Sequence, residues 1–188
     1  MIILVLACTQ DGGIGYKNSL PWNIKSEMEI FKKITLKFPN VLMGRKTFDS
    51  LPFPLKKRKN IVLSNKENYS NDENVYFLKF DEKVSCKKIT QIEYKKNNTF
   101  NFSNFVSFYQ QKNKNICVIG GEEVFNLFFP FCDEIFISII KKFYLCDKYF
   151  KFLNNVFNNK RFFELKEDRI TCEEFINYHF IKKTKEKN

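Results

Sequence analysis

Glu27 is the residue in this chain best placed by its surroundings to exchange a proton. It follows a stretch in which Gly13, Ile14, Gly15, Asn18, Leu20, Pro21, Trp22 and Asn23 lead into a helical pattern carrying Glu27 and Phe31. A carboxylate on the first turn of an amphipathic helix, near two aromatic rings and downstream of an apolar strand, can face a concave apolar site. Such a site raises its pKa and suits it to acid chemistry. The same position also suits an acid that only meets the helix dipole, as Ser26 and Glu29 could. The residues alone leave both readings open.

Two further segments have the makings of a phosphate site. Gly44, Arg45, Lys46 and Thr47 follow a short strand directly, where a loop entering a helix can offer backbone N–H groups, a hydroxyl and two cations to a polyanion. Two adjacent basic residues also fit a plain solvated face. Gly120 and Gly121 stand between an apolar strand and a helical pattern, and glycines there let backbone approach a pyrophosphate without a Cβ in the way. The G-x-G-x-x-G fingerprint of the Rossmann fold is absent at that point, and Gly13 with Gly15 precedes a loop rather than a helix.

These residues need a frame. Residues 2–8 form a nearly unbroken aliphatic run, which predicts a strand buried on both faces and turned at Asp11, Gly12 and Gly13. Met28, Phe31, Ile34 and Phe38 recur at helical spacing before Pro39. Strands are predicted over 41–43, 60–64, 75–78, 115–119, 134–140, 161–168 and 175–182, and helices over 44–51 (a loop turning into a short helix), 102–111 and from 124 to Pro130. The Lys- and Asn-rich residues 79–101 lack periodicity and read as a long surface insertion. Strands interleaved with helices, then strands alone, imply an α/β fold with a mostly parallel sheet and an antiparallel C-terminal edge.

At 188 residues the chain can bury one sizeable core and is short for two, so residues 1–188 are expected to form a single domain. With 44% hydrophobic residues and 23 Phe, it lies far from the composition of a disordered chain. The net charge of +11 invites a nucleic-acid reading. Yet Lys and Asn are scattered from end to end alongside Phe and Ile, which fits compositional drift better than a dedicated surface. A basic exterior also raises the encounter rate with anionic ligands. His179 is the single histidine and the six cysteines show no C-x-x-C spacing, so no metal site is expected. No secretory leader or membrane-length apolar run is apparent, and reduced thiols in a soluble cytoplasmic protein are expected.

In this order and at these separations, the segments resemble the dihydrofolate reductase family along nearly the whole chain. The resemblance rests on the glycine loop leading to Leu20, Pro21, Trp22, Asn23, Glu27 and Phe31. It rests also on Met43 to Thr47, on Arg58, Lys59 and Asn60 ahead of residues 61–64, and on Ile119, Gly120 and Gly121 before a helix. It implies an eight-stranded, mostly parallel mixed sheet with flanking helices. It further implies NADPH-dependent reduction of 7,8-dihydrofolate to 5,6,7,8-tetrahydrofolate in support of thymidylate, purine and one-carbon metabolism, by a monomer open to antifolate inhibitors and needing neither nucleic acid nor membrane.

By the same resemblance Glu27, with Trp22, is catalytic: it hydrogen-bonds the pterin and promotes protonation at N5 while hydride goes to C6. Val5, Leu6, Met28, Phe31, Leu51, Leu55 and Ile119 enclose the pterin and the benzoyl linker, and Ser138 is a polar residue near Glu27. Arg58 grips the folate α-carboxylate, a role that suits a planar guanidinium. Ala7, Ile14, Gly15, Asn18 and Leu20 cover the nicotinamide. Gly44, Arg45, Lys46, Thr47, Leu63, Ser64 and Asn65 line the phosphate and adenosine side, where Arg45 and Lys66 favour NADPH over NADH. Gly120 and Gly121, joined by a cis peptide, lie against the pyrophosphate with Glu122, Val124 and Phe125.

The chain departs from the family where Glu122 and Glu123 replace smaller or basic residues, Phe125 replaces a frequent tyrosine, and Lys148 stands where a threonine is common. Two other readings remain open. A reductase of a related fold acting on a pyrimidine intermediate of riboflavin synthesis would keep NADPH without needing Glu27 and Arg58 together. A non-catalytic basic module would bind nucleic acid in a salt-sensitive way and ignore pterins.

Overall fold

The structure, a computed structural model, describes residues 1–64, 71–80, 92–94, 98–100, 102–111, 114–158, 163–166 and 170–183. The aliphatic run becomes β1 (Ile2–Thr9), the central strand. The helical pattern after it becomes α1 (Lys25–Thr35), followed by β3 (Asn40–Gly44), α2 (Arg45–Asp49), β4 (Lys59–Ser64) and β5 (Val75–Phe80). After α3 (Phe102–Gln110) come β8 (Ile116–Val118), α4 (Glu122–Phe128), β9 (Glu134–Ile140) and β13 (Phe175–Lys182). Glu27 in the first turn of α1 and Lys32 and Lys33 in its last turn have the charge order that a helix dipole favours.

One continuous sheet runs in the order β11, β13, β9, β1, β8, β3, β4, β5, β6, β7, where β6 is Ile92–Tyr94, β7 is Asn98–Phe100 and β11 is Phe163–Leu165. All five pairings from β9 through β1, β8, β3 and β4 to β5 are parallel, and β13 joins β9 antiparallel. The expected eight-stranded frame is present within a sheet of 11 strand segments. The surplus has two sources. The strand expected over 161–168 is β11 among the described residues, and a further short strand, β12 (Ile170–Thr171), stands where a turn was expected, both paired with β13; β6 and β7 continue the far edge antiparallel from β5. Part of the stretch read as a structureless insertion therefore extends the sheet, while residues 81–91 and 95–97 lie outside the described residues.

Three further short elements have no counterpart among those expected from the sequence. A two-stranded sheet joins β2 (Gly13–Gly15) to β10 (Lys148–Tyr149), and α5 (Leu153–Asn158) interrupts a tail expected to hold strands alone. Strand alternation then sends β1 side chains into two cores. Ile2, Leu4, Leu6 and Cys8 point to the side carrying Phe105, Val106, Phe125 and Phe128; Ile3 and Val5 point to the side of α1, among Ile34, Phe38, Val41, Met43 and Cys117. A strand buried on both faces needs apolar residues at every position, which is why β1 reads as a continuous run. Cys8, Cys117, Cys132, Cys146 and Cys172 carry free thiols. No helix among the described residues is long and apolar enough to cross a membrane.

Candidate active site

Glu27 projects from α1 towards the sheet and is 4% exposed. Burial holds its carboxyl above the usual carboxylate range, and a hydrogen bond from Ser138 on β9 partly opposes that shift by favouring the charged form. No charged neighbour among the described residues contributes. The carboxylate is therefore a lone acid among apolar walls rather than half of an ion pair. Val5, Phe31, Leu51, Leu55, Ile119 and Phe136 pack into the core on this side, and Trp22, Ala7, Ile24 and Phe175 form the adjoining cluster. Trp22 meets Tyr144 edge-on at 5.7 Å, and its buried Nε1 has no hydrogen-bond partner among the described residues, which leaves it a donor for a ligand.

Arg58 is anchored twice. Its Nη1 donates to Thr35 Oγ1 at 2.6 Å and its Nε to the Lys56 carbonyl at 3.1 Å, while Thr35 in turn donates to the Phe31 carbonyl one helical turn back at 2.8 Å. The loop between Leu55 and Arg58 is clamped by Asn60, which is fully buried. Its side chain donates to the carbonyls of Leu55 and Arg58 at 3.0 Å each and accepts from Leu55 N–H at 2.9 Å. Thr35 is a positioning residue absent from the expected site, and Asn60, expected only as part of the motif ahead of residues 61–64, is another. The signal for Asn60 was available: a polar residue opening the apolar strand that ends at Ser64.

On the other side of the sheet centre, the carboxyl ends of β3 and β8 meet in a glycine cradle, where open α/β sheets place ligands. Gly44 N–H donates to the Gly120 carbonyl at 2.8 Å, and the Gly120–Gly121 peptide is cis, as the family resemblance implied. A Cβ would sit 3.2 Å from Val124 Cγ2 if added to Gly44, 3.2 Å from Phe125 Cε2 at Gly120, and 3.2 Å from Thr47 Oγ1 at Gly121. Gly120 also holds φ at +120°, a conformation that L side chains rarely adopt. The three glycines are thus closely packed, Gly120 buried and Gly44 and Gly121 half-buried, with the Thr47 hydroxyl against Gly121 and Arg45 next in the chain to Gly44. These residues fit a dinucleotide phosphate. Arg45 Nε reaches both oxygens of Asp49 at 2.7 and 2.8 Å, and the guanidinium lies 5.4 Å over the Phe77 ring.

The loop expected over the nicotinamide is a tight hairpin. Tyr16 and Ser19 exchange backbone bonds at 2.9 and 3.0 Å around Lys17 and Asn18, both at positive φ, the pattern of a primed turn. Lys17 N–H donates to Asp147 Oδ2 at 3.1 Å and Asp147 N–H to the Gly15 carbonyl at 2.9 Å, tying this turn to the segment before β10. Asp147, next to the atypical Lys148, therefore carries the cross-loop hydrogen bonding, and Lys148 itself is exposed.

The remaining expected site residues are distributed as follows. Leu6, Leu63, Val124 and Phe125 bury their side chains in the opposite core, so Leu6 can offer the pocket only backbone. Ile14 packs against that core, Ser64 is buried, and Lys46 and Asn18 are exposed. Leu20 and Met28, at 48% and 44% exposure, present apolar surface to solvent. Glu122 turns towards Lys151 at 3.5 Å. Asn65 and Lys66 lie outside the described residues.

The chain has counterparts among known proteins. The family model of dihydrofolate reductase matches residues 1–185. A dihydrofolate reductase of Mycoplasma genitalium is 40% identical over 152 residues, covering 80% of this chain and 83% of that protein. One of Ureaplasma parvum is 33% identical over 186 residues, covering 98% and 100%. The solved structure of dihydrofolate reductase from Enterococcus faecalis complexed with NADP(H) and RAB-propyl superposes with a TM-score of 0.68 at 23% identity, over 98% of this chain and 97% of that one, and shares its fold. This chain belongs to the dihydrofolate reductase family, whose activity is the NADPH-dependent reduction of 7,8-dihydrofolate to 5,6,7,8-tetrahydrofolate.

Proposed function

We propose that the pocket between α1 and the sheet takes dihydrofolate with its pterin against Glu27 and its glutamate α-carboxylate at Arg58, and that the glycine cradle takes NADPH. The supporting observation is Glu27 itself, a buried carboxyl held above its usual range by desolvation, with no cation beside it among the described residues. NADPH, when bound, supplies the hydride that goes to C6 of the pterin. Glu27 hydrogen-bonds the pterin ring and promotes protonation at N5, so that the double bond between the two atoms becomes C6–H and N5–H. Burial keeps the carboxyl's proton affinity high, and the Ser138 hydroxyl keeps its ionised form from being prohibitive. Trp22 Nε1 is a second donor to the bound ring.

Val5, Met28, Phe31, Leu51, Leu55 and Ile119 wall the pterin and linker with apolar surface. The hairpin carrying Asn18 and Leu20 covers the nicotinamide and excludes water. Gly44, Arg45, Lys46, Thr47 and Ser64 meet the phosphates, with Arg45 and the segment from Asn65 reading the 2′-phosphate. The chain acts as one domain and as a monomer in the cytoplasm, and antifolates that mimic the pterin compete for Glu27.

The test is Glu27→Gln, which keeps shape and removes the ionisable group. Turnover of NADPH with dihydrofolate should fall by roughly 10²-fold or more at neutral pH and by much less in acid, where solvent can protonate N5. Equal losses at both pH values would remove Glu27 from the proton path.

A further inference from the structure

Ser138 can help Glu27 only if its single hydroxyl proton points at the carboxylate. A serine hydroxyl has one proton to donate and two lone pairs to accept with, and it rotates to suit its neighbours. Something must set its direction. Directly opposite Ser138, in the antiparallel register of β13 against β9, stands Asn177, close enough across the ladder for the two side chains to meet. Asn177 Nδ2 donates to Ser138 Oγ at 3.0 Å. All three groups are sealed from solvent, with Asn177 5%, Ser138 1% and Glu27 4% exposed.

We propose that Asn177 is a positioning residue for the acid: by filling a lone pair of Ser138 Oγ with an amide N–H, it commits the serine's own proton to the Glu27 carboxylate. The relay runs in one direction, from amide N–H to hydroxyl oxygen and from hydroxyl proton to carboxylate oxygen. Without the amide, the hydroxyl could turn its proton to any backbone carbonyl in reach. The placement is unusual for a strand. Period-2 alternation along β13 sends Ile176, Tyr178 and Phe180 to one face, and Tyr178 and Phe180 join the helical core there, while Phe175, Asn177 and His179 take the face of α1. A buried amide costs stability unless its hydrogen bonds are made. Here the bond made is to a side chain that itself bonds the acid.

The other charged groups on this face do not substitute for the relay. Glu134 and His179 pair with each other at 2.7 Å farther along β9 and β13, His179 stacks on Phe136 at 3.9 Å, and Lys37 and Lys166 act on Glu134. None of these groups, nor Arg58 at the far end of α1, contributes to the shift of Glu27.

The inference rests on Glu27 being the acid, and the experiment separates the two claims. The Glu27 side-chain carboxyl is titrated by NMR in protein carrying ¹³C-labelled glutamate, with its signal assigned through Glu27→Gln. In Asn177→Leu the Glu27 midpoint should move to higher pH, and the limb of the kcat/KM profile should move with it. Ser138→Ala should shift the midpoint likewise, and Asn177→Leu should add nothing on the Ser138→Ala background, because it acts through that hydroxyl. An unmoved midpoint in folded Asn177→Leu, or shifts that add in the double variant, would overturn the proposal. Should Asn177→Leu not fold, the unaltered chain still decides: the Asn177 side-chain amide signals should follow the Glu27 titration and lose that step in Glu27→Gln, and a featureless amide response refutes the relay. A flat kcat/KM profile in the unaltered protein would instead unseat Glu27, whatever Asn177 does.

Discussion

Replacing Arg58 by Lys keeps the positive charge and removes the fork, so it separates charge from geometry. A guanidinium carries five N–H donors in a plane. Two are spent on Thr35 Oγ1 and the Lys56 carbonyl, at 2.6 and 3.1 Å, which fixes the plane and leaves three for a substrate carboxylate. An ammonium at the end of a flexible stem cannot keep both anchors and a two-point grip. The loss is about one charge-assisted hydrogen bond, roughly 1.5–3 kcal/mol, or about 10- to 100-fold in the KM for dihydrofolate. Because the α-carboxylate is bound equally in ground and transition states, kcat should stay within about twofold.

Steady-state kinetics on dihydrofolate and on a dihydropterin lacking the glutamate check both halves. The KM of the truncated substrate should be the same for the two proteins. A Thr35→Val variant, which removes only the anchoring hydroxyl, should raise the dihydrofolate KM by a smaller factor, about 2- to 10-fold, the worth of one neutral hydrogen bond. If the KM rises equally for both substrates, or if Arg58→Lys leaves it unchanged, Arg58 does not hold the carboxylate.

Glu27 should leave a mark on stability as well as on activity. Its folded carboxyl is raised above the unfolded value by burial, so its stabilising protonation is fully present below the ordinary carboxylate range and is lost as pH rises through the folded value. Glu27→Gln should therefore melt close to the parent in acid and above it at neutral pH, a gap that calorimetry of the ligand-free protein should see widen with pH. Arg45→Ala should weaken NADPH by about tenfold and NADH much less, since only NADPH carries the extra phosphate; parallel weakening in fluorescence titrations would take Arg45 out of that role. Phe128, fully buried and 6.1 Å edge-on from Phe105, anchors the helical core away from the pocket. Phe128→Ala should cost about 3–5 kcal/mol in urea unfolding with the m-value unchanged.

Local periodicity made the central frame readable. The aliphatic run of β1 encodes burial on both faces, and the motif glycines and Glu27 mark loops and a helix start by residue type alone. Part of the candidate site could be read too, because Trp22, Glu27 and Phe31 are near neighbours in the chain. The elements that escaped are short or poor in pattern. β2 has three residues, two of them glycine; α5 is a six-residue helix in a tail of aromatics; β6 and β7 sit in a Lys- and Asn-rich stretch where strand propensity is weak.

What only the tertiary structure decided is which polar groups meet. Asn177 lies 39 residues beyond Ser138, and Arg58 lies 23 beyond Thr35. No spacing along the chain links either pair. A strand's alternation states that Asn177 shares a face with Phe175 and His179, but the register of β13 on β9 sets its partner, and a slip of one residue would turn it into the opposite core. Sequence encodes the direction of burial residue by residue, through side-chain volume and polarity. Hydrogen-bond partnership depends on distances of about 3 Å, and these exist only once the sheet has closed and the helices have docked on it.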